Sequence, residues 1–225
     1  MIDTRPRRYV PDSLISSLIM RPRNIASRII IIFIVVAAAG VFAWTFVHAV
    51  VYVPEDAGPV PVMQEGASPG LYQVGTSSLP ARLTIPSLGI NTHIQYVGEN
   101  AQGNMRAPDN FTDVAWYEYG TVPGDVGSAV IDGHVDNGLG LDGVFKHLSD
   151  IIVGADVYIE TNGGTMLHFK VSDIEVYPYQ NVPTAALFTQ HDAAHLNLIT
   201  CDGTWVAGGD TYDHRIVIYT RLVNS

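Results

Sequence analysis

Hydrophobic positions along the chain follow two regimes. Ile29 to Val53 reads IIIIFIVVAAAGVFAWTFVHAVVYV, 25 residues without an acidic or permanently basic side chain. At about 1.5 Å per residue this predicts a helix long enough to cross a roughly 30 Å hydrocarbon core with some tilt. From Pro80 onward the apolar residues come instead in short runs: RLTI, HIQYV, SAVID, DVYIE, MLHFKVSDIEVY, LNLIT and RIVIYTRLV. Gly, Pro, Asn and Asp punctuate them, and NGGT at Asn162 to Thr165 has the composition of a hairpin turn. No run keeps a helical period, although short helical turns are expected at Gly143 to Leu148 and around Thr184 to Gln190. Seven or eight strands in the last 145 or so residues predict an all-β domain, a closed barrel or a sandwich, since closure removes edges that would otherwise pair with other chains.

Between the two regimes, Pro54 to Leu79 is rich in Pro, Gly and Ser and reads as a tether. The chain therefore divides into a basic N-terminus (1–28), a transmembrane anchor (29–53), a linker (54–79) and one domain of ordinary size (80–225).

Charge adds a direction to this plan. Arg5, Arg7, Arg8, Arg21, Arg23 and Arg28 precede the apolar run against Asp3 and Asp12 alone, and Glu55 and Asp56 follow it. The positive-inside rule puts the N-terminus in the cytoplasm and the domain outside, with the lipid bilayer as a partner. The apolar run exceeds the 7–15 residues usual for the core of a cleaved signal peptide, which favours an uncleaved anchor. Six basic and twenty acidic residues remain beyond it, a net charge of −14 that argues against nucleic acid as a partner. No EF-hand spacing accompanies the acidic residues, and no cofactor or metal is expected from the sequence, which says nothing of calcium dependence.

Cys201 is the only cysteine, so the domain has no internal disulfide. It ends the run LNLITC, which reads as a strand stopping at the turn Asp202-Gly203. SAVIDGH stops at His134, and Arg215 opens RIVIYTRLV. A thiol, an imidazole and a guanidinium brought together at strand ends would form a site for nucleophilic acyl transfer. The bland alternative is a packing cysteine. Asp132 and Asp136 flank His134 and either orient the imidazole or cap turns, with turn duty favoured. His93, His147 and His168 read as structural, and His214 alternates with Arg215 onto the opposite face. His191 and His195 have the i, i+4 spacing of a helical zinc pair, but HDAAH lacks the glutamate of H-E-x-x-H and a third ligand.

Taken in order, these segments resemble the sortases, membrane-anchored cysteine transpeptidases of Gram-positive cell surfaces. ARLTIPSLGINTHIQYVG is similar to the family's first strands, and WYEYGTVPGDVGSAVIDGHVDNG to the loop and strand leading to its histidine. FKHLSDIIVGADVYIE is similar to a further family run, with Ala155 inserted, and LITC and HRIVIYTRLV to its cysteine and arginine strands. The resemblance spans about Pro80 to Val223. The tryptophan of WYEYG and the minimal barrel lean toward class F-like or class E-like members.

The resemblance implies a closed sortase-like β-barrel of seven to eight strands with short helical turns. It makes Cys201 the nucleophile, His134 its acid/base partner and Arg215 the group that orients substrate and stabilises the oxyanion, with Thr200 facing the peptide groove. Its substrates would be surface proteins or pilins bearing an LPXTG-like C-terminal signal, cleaved through a thioester. The acceptor would be the amine of a cell-wall precursor or of a pilin lysine. Peptide preference would depend on the segment of about Tyr177 to His195. Two alternatives stand beside this: a non-catalytic adhesion or sensor barrel, and an L,D-transpeptidase, whose histidine, cysteine and arginine share one short motif rather than the wide His134, Cys201, Arg215 order.

Overall fold

The computed structural model describes residues 25–51, 76–137, 139–209 and 211–223. It separates into two units, the first ending at His48. The first contains most of helix α1, Ile25–Val51, which covers most of the apolar run. Arg28–Thr45 has a mean hydropathy of 2.3, and the helix is long and apolar enough to cross a membrane. The basic N-terminus up to residue 24, Tyr52 and Val53 of the expected anchor, and 54–75 of the expected linker lie outside the described residues.

The second unit is a closed barrel of eight strands in the order β1-β2-β3-β4-β7-β8-β6-β5. The strands are β1 Pro80–Ile85, β2 Ile90–Val97, β3 Val114–Tyr117, β4 Gly127–Gly133, β5 Asp156–Thr161, β6 Met166–Pro178, β7 Ala194–Val206 and β8 Thr211–Leu222. Only β2–β3 and β4–β7 pair in parallel. The β1–β5 pairing closes the ring and removes the last edge. Leu79 and Ser77, assigned to the tether from sequence, are docked on the barrel: their carbonyls accept from the backbone N–H groups of Asn162 and Gly163 in the β5–β6 hairpin.

Strand alternation divides side chains between two clusters. Leu83, Ile131, Ile159, Phe169, Leu198 and Ile218 fill the barrel interior. On the outside of the sheet, Ala115, Tyr117, Val130, Ile199 and Val217 form a second cluster with Met105 and Leu187. Leu187 belongs to α2, Thr184–Phe188, whose Leu187 carbonyl accepts a bond of 2.7 Å from the Asn197 side chain on β7. Because β3 and β4 are covered on both faces, every residue of each is buried. Such strands read as continuous apolar runs rather than alternating ones.

The seven or eight strands expected resolve to eight: β3, of only four residues, lies outside the seven runs read from sequence, and its pairing with β2 and β4 makes it a strand. One expectation is corrected. The strand carrying Cys201 does not stop at Asp202-Gly203. β7 continues to Val206, with a register shift between Asp202 and Trp205 and Gly203 at φ 84°. A bulge of this kind needs a residue at home with positive φ, which glycine supplies.

Candidate active site

The outer face of the sheet carries a row of polar side chains at one end of the barrel. β4 ends at Gly133, placing His134 just past the strand. The backbone there is clamped: Phe145 N–H donates to the His134 carbonyl (2.9 Å) and Gly143 N–H to that of Val135 (2.9 Å). A side chain at position 143 would run into the His134 carbonyl, so glycine allows this close approach. Phe145 itself is anchored in the barrel core.

The His134 ring is buried, 5.1 Å from the ring of Phe111, with Nε2 2.9 Å from the Pro108 carbonyl. A carbonyl only accepts, so Nε2 carries the hydrogen. In the neutral ring Nδ1 is then the acceptor available to take a proton.

β4 and β7 run in parallel with Asp132 opposite Ile199. Two residues further along each strand bring His134 and Cys201 to the same end, and both line one cavity of about 20 Å³ together with Asp132, Asp136, Trp205 and Tyr212. The Cys201 thiol is half-buried. Burial pushes it up to about 11; Arg215 and the Tyr212 backbone N–H pull the other way, and the carboxylates of Asp132 and Asp136 push further up. The resting sulfur is therefore a neutral thiol at neutral pH.

Arg215 sits on β8 directly opposite Cys201. The residue is 3% exposed and its guanidinium is tied to the β7–β8 hairpin: Nη1 donates to the carbonyls of Tyr212 (3.1 Å) and His214 (2.9 Å), and Nη2 to Thr211 Oγ1 (2.8 Å). The Tyr179 ring lies 5.9 Å from it. A planar, always charged donor fixed in this way holds its orientation with little further loss of freedom.

Thr200 is placed differently from expectation. Its neighbours on β7 alternate, Leu198 inward and Cys201 outward, and Thr200 points inward with 1% exposure. Its hydroxyl donates to the Gly133 carbonyl at 2.6 Å. It braces β7 against the end of β4 and does not line the cavity.

Asp132 corrects another expectation. It is not in a turn: it lies within β4, 6% exposed, and lines the same cavity as His134. Burial raises its carboxyl to about 6, against the lowering influence of His134 and Arg215 and the Gly133 backbone N–H. Asp136 accepts from the Tyr212 hydroxyl at 2.5 Å and lies 3.7 Å from Lys146. Trp205, half-exposed, stands edge-on to Tyr212 at 5.4 Å. Sequence reasoning left Trp205, Tyr212 and the Pro108 carbonyl without a role. Asp132 alone had a readable signal, the two-residue spacing from His134 on a strand.

The remaining histidines lie elsewhere. His195, the second residue of β7, bonds Asp192 Oδ1 at 2.7 Å; the segment from His191 to His195 contains no helix, so that spacing does not place the two on one helical face. Among the described residues no group of three His, Cys, Asp or Glu is arranged to hold a metal ion. The β6–β7 connection, containing α2, borders two larger cavities: about 280 Å³ beside Tyr177, Ala186 and Gln190, and about 200 Å³ beside Tyr117, Tyr119 and Phe188.

Comparison with known proteins matches residues 83–223 to the Sortase domain model. Sortase C1 of Streptococcus agalactiae, in complex with MTSET, is 23% identical, covering 64% of this chain and 69% of that chain with a TM-score of 0.50. Sortase C of Streptococcus pneumoniae is 16% identical, covering 66% of this chain and 70% of that one with a TM-score of 0.51. These structures share the fold. No curated protein matches the chain.

Proposed function

This chain belongs to the sortase family, a family of cysteine transpeptidases, and we propose that it cleaves the Thr-Gly bond of an LPXTG-like sorting signal through a thioester on Cys201. The observation that carries this is the shared cavity of Cys201 and His134, with Nε2 of His134 already engaged and Nδ1 left to accept.

In this reading the Cys201 sulfur attacks the threonine carbonyl carbon while its proton passes to His134 Nδ1. A neutral thiol requires such a base, because only the thiolate is strongly nucleophilic. The carbonyl electrons become an oxyanion, and Arg215, opposite Cys201, stabilises it. As the C–N bond breaks, the imidazolium returns its proton to the departing glycine amine. An incoming amine then attacks the thioester, with His134 accepting its proton and the thiol reforming. The cavity is small, so in this reading the peptide lies across its mouth, against Trp205, with Tyr179 of the β6–β7 connection beside Arg215.

The acceptor is the amine of a cell-wall precursor or of a pilin lysine. Helix α1 crosses the membrane with the N-terminus in the cytoplasm, and the barrel faces outward where surface proteins pass. The length and apolarity of α1 and the arginines before it support this placement. Burial that raises the thiol is the one observation favouring a non-catalytic barrel.

Full-length chain in detergent micelles, incubated with an LPXTG-like peptide and hydroxylamine, separates the two. The expected product is the threonine hydroxamate, absent with Cys201→Ala. Absence of cleavage by the wild type, with Cys201 inert to alkylation until unfolding, would overturn the enzyme reading.

A further inference from the structure

Strand geometry places a buried carboxylate beneath the proposed pair. Asp132 lies in β4 two residues before His134, which stands just past the strand end, and both line the same cavity. Its register partners are Ala115 on β3, which brings no charge, and Ile199 on β7, two residues before Cys201. The charged and titratable groups around it are His134 at the end of its own strand, Cys201 from β7, Arg215 from β8, and Asp136 and Tyr212 at the cavity wall. His134 is bound at Nε2 by the neutral carbonyl of Pro108, which orients the ring but adds no counter-charge.

We propose that Asp132 is a positioning residue of this site, its buried carboxylate stabilising the imidazolium that His134 becomes on taking the Cys201 proton. The inference rests on the acyl-transfer reading above and deepens it. In the transfer, the S–H bond breaks, its electron pair forms the S–C bond, and the proton joins Nδ1. The site then holds a new positive charge, and Asp132 is a negative one sharing the cavity, acting through space rather than through a hydrogen bond to the ring. A buried opposite charge acts more strongly than an exposed one. The same carboxylate opposes loss of the thiol proton to solvent, so the thiol loses its proton to the histidine and stays neutral at rest. Burial holds Asp132 near 6, which leaves it ionised at neutral pH.

The test compares wild type, Asp132→Asn and Asp132→Glu as full-length chains in detergent. Without peptide, alkylation of Cys201 is followed against pH; with peptide and hydroxylamine, kcat and KM are measured. Asp132→Asn is expected to move the alkylation profile about one pH unit lower and to reduce kcat about tenfold with KM little changed. Its Tm at pH 8 should not fall, and Asp132→Glu should restore part of kcat. An unmoved profile with wild-type kcat would overturn the proposal. So would a loss of kcat accompanied by a lower Tm and an altered near-ultraviolet circular dichroism spectrum, which would assign Asp132 to packing. A wild type that forms no hydroxamate would instead sink the acyl-transfer reading, whatever the alkylation profile shows.

Discussion

The two faces of the sheet formed by β4, β7 and β8 come from the same residues in alternation, yet they are built for different ends. Inward, Ala129, Ile131, Leu196, Leu198, Ile216 and Ile218 pack into one apolar core. Outward, the same strands present Asp132, Cys201 and Arg215, with His134 just beyond β4. A core side chain is replaceable by another of similar volume, because burial of apolar area is non-directional. The outer row depends on identity: a sulfur that can be acylated, a ring with one free nitrogen, and a charge that is never lost. At the Cys201 end of these strands, stability and chemistry are thus separated by a single residue step, while further along them the outward Val130, Ile199 and Val217 belong to the second apolar cluster.

Breaking the outer row should have the largest effect on turnover. Cys201→Ala is expected to abolish peptide cleavage while leaving the far-ultraviolet circular dichroism spectrum unchanged. Arg215→Lys keeps the charge but not the three-way attachment to Tyr212, His214 and Thr211. It should lower kcat by about 10²–10³, the scale seen when an oxyanion donor is removed.

Breaking the inner face should act on stability instead. Leu198 is fully buried, and Leu198→Ala is expected to cost about 2–5 kcal/mol in urea unfolding. Thr200→Val tests the brace between the two faces. Losing the hydroxyl bond to the Gly133 carbonyl should cost about 1 kcal/mol, with a smaller loss of kcat through the adjoining His134 backbone.

The comparison is sharpened last through pH. Asp132 is raised to about 6 in the folded chain against an ordinary value of 3.8. The native state therefore binds the proton more tightly, and the stability this gives is fully present below 3.8 and lost as pH rises through about 6. Asp132→Asn removes that loss. Thermal scans should show the variant drawing ahead of the wild type between about pH 4 and 6 and holding that lead above, with the difference gone below about pH 4. A variant less stable than wild type at pH 8 would contradict the sign.

How legible this was from sequence depends on which physical signal each part leaves. β5 stood out because its burial repeats every second residue, and β7 and β8 because their apolar runs are long. β3 did not, because four residues buried on both faces carry no alternation and its partners lie far off in sequence. The extension of β7 past Gly203 was hidden by the same glycine that permits its bulge, since a bulge and a turn draw on one composition. In the site, the wide spacing of His134, Cys201 and Arg215 was readable as an order, while their meeting depends on the parallel β4–β7 pairing. The Pro108 carbonyl carries no side-chain signal at all. Thr200 was placed toward the groove by the resemblance, whereas alternation with Cys201 on one strand puts it on the opposite face.

The central claim is that Cys201 carries the acyl group. Intact mass spectrometry of the full-length chain, quenched in acid after mixing with a sorting-signal peptide, tests it most directly. A peptide-sized mass increase on the wild type, absent from Cys201→Ala and discharged by hydroxylamine, is the predicted result. An unmodified mass at every time point, from a chain whose Cys201 alkylates only after denaturation, would contradict it.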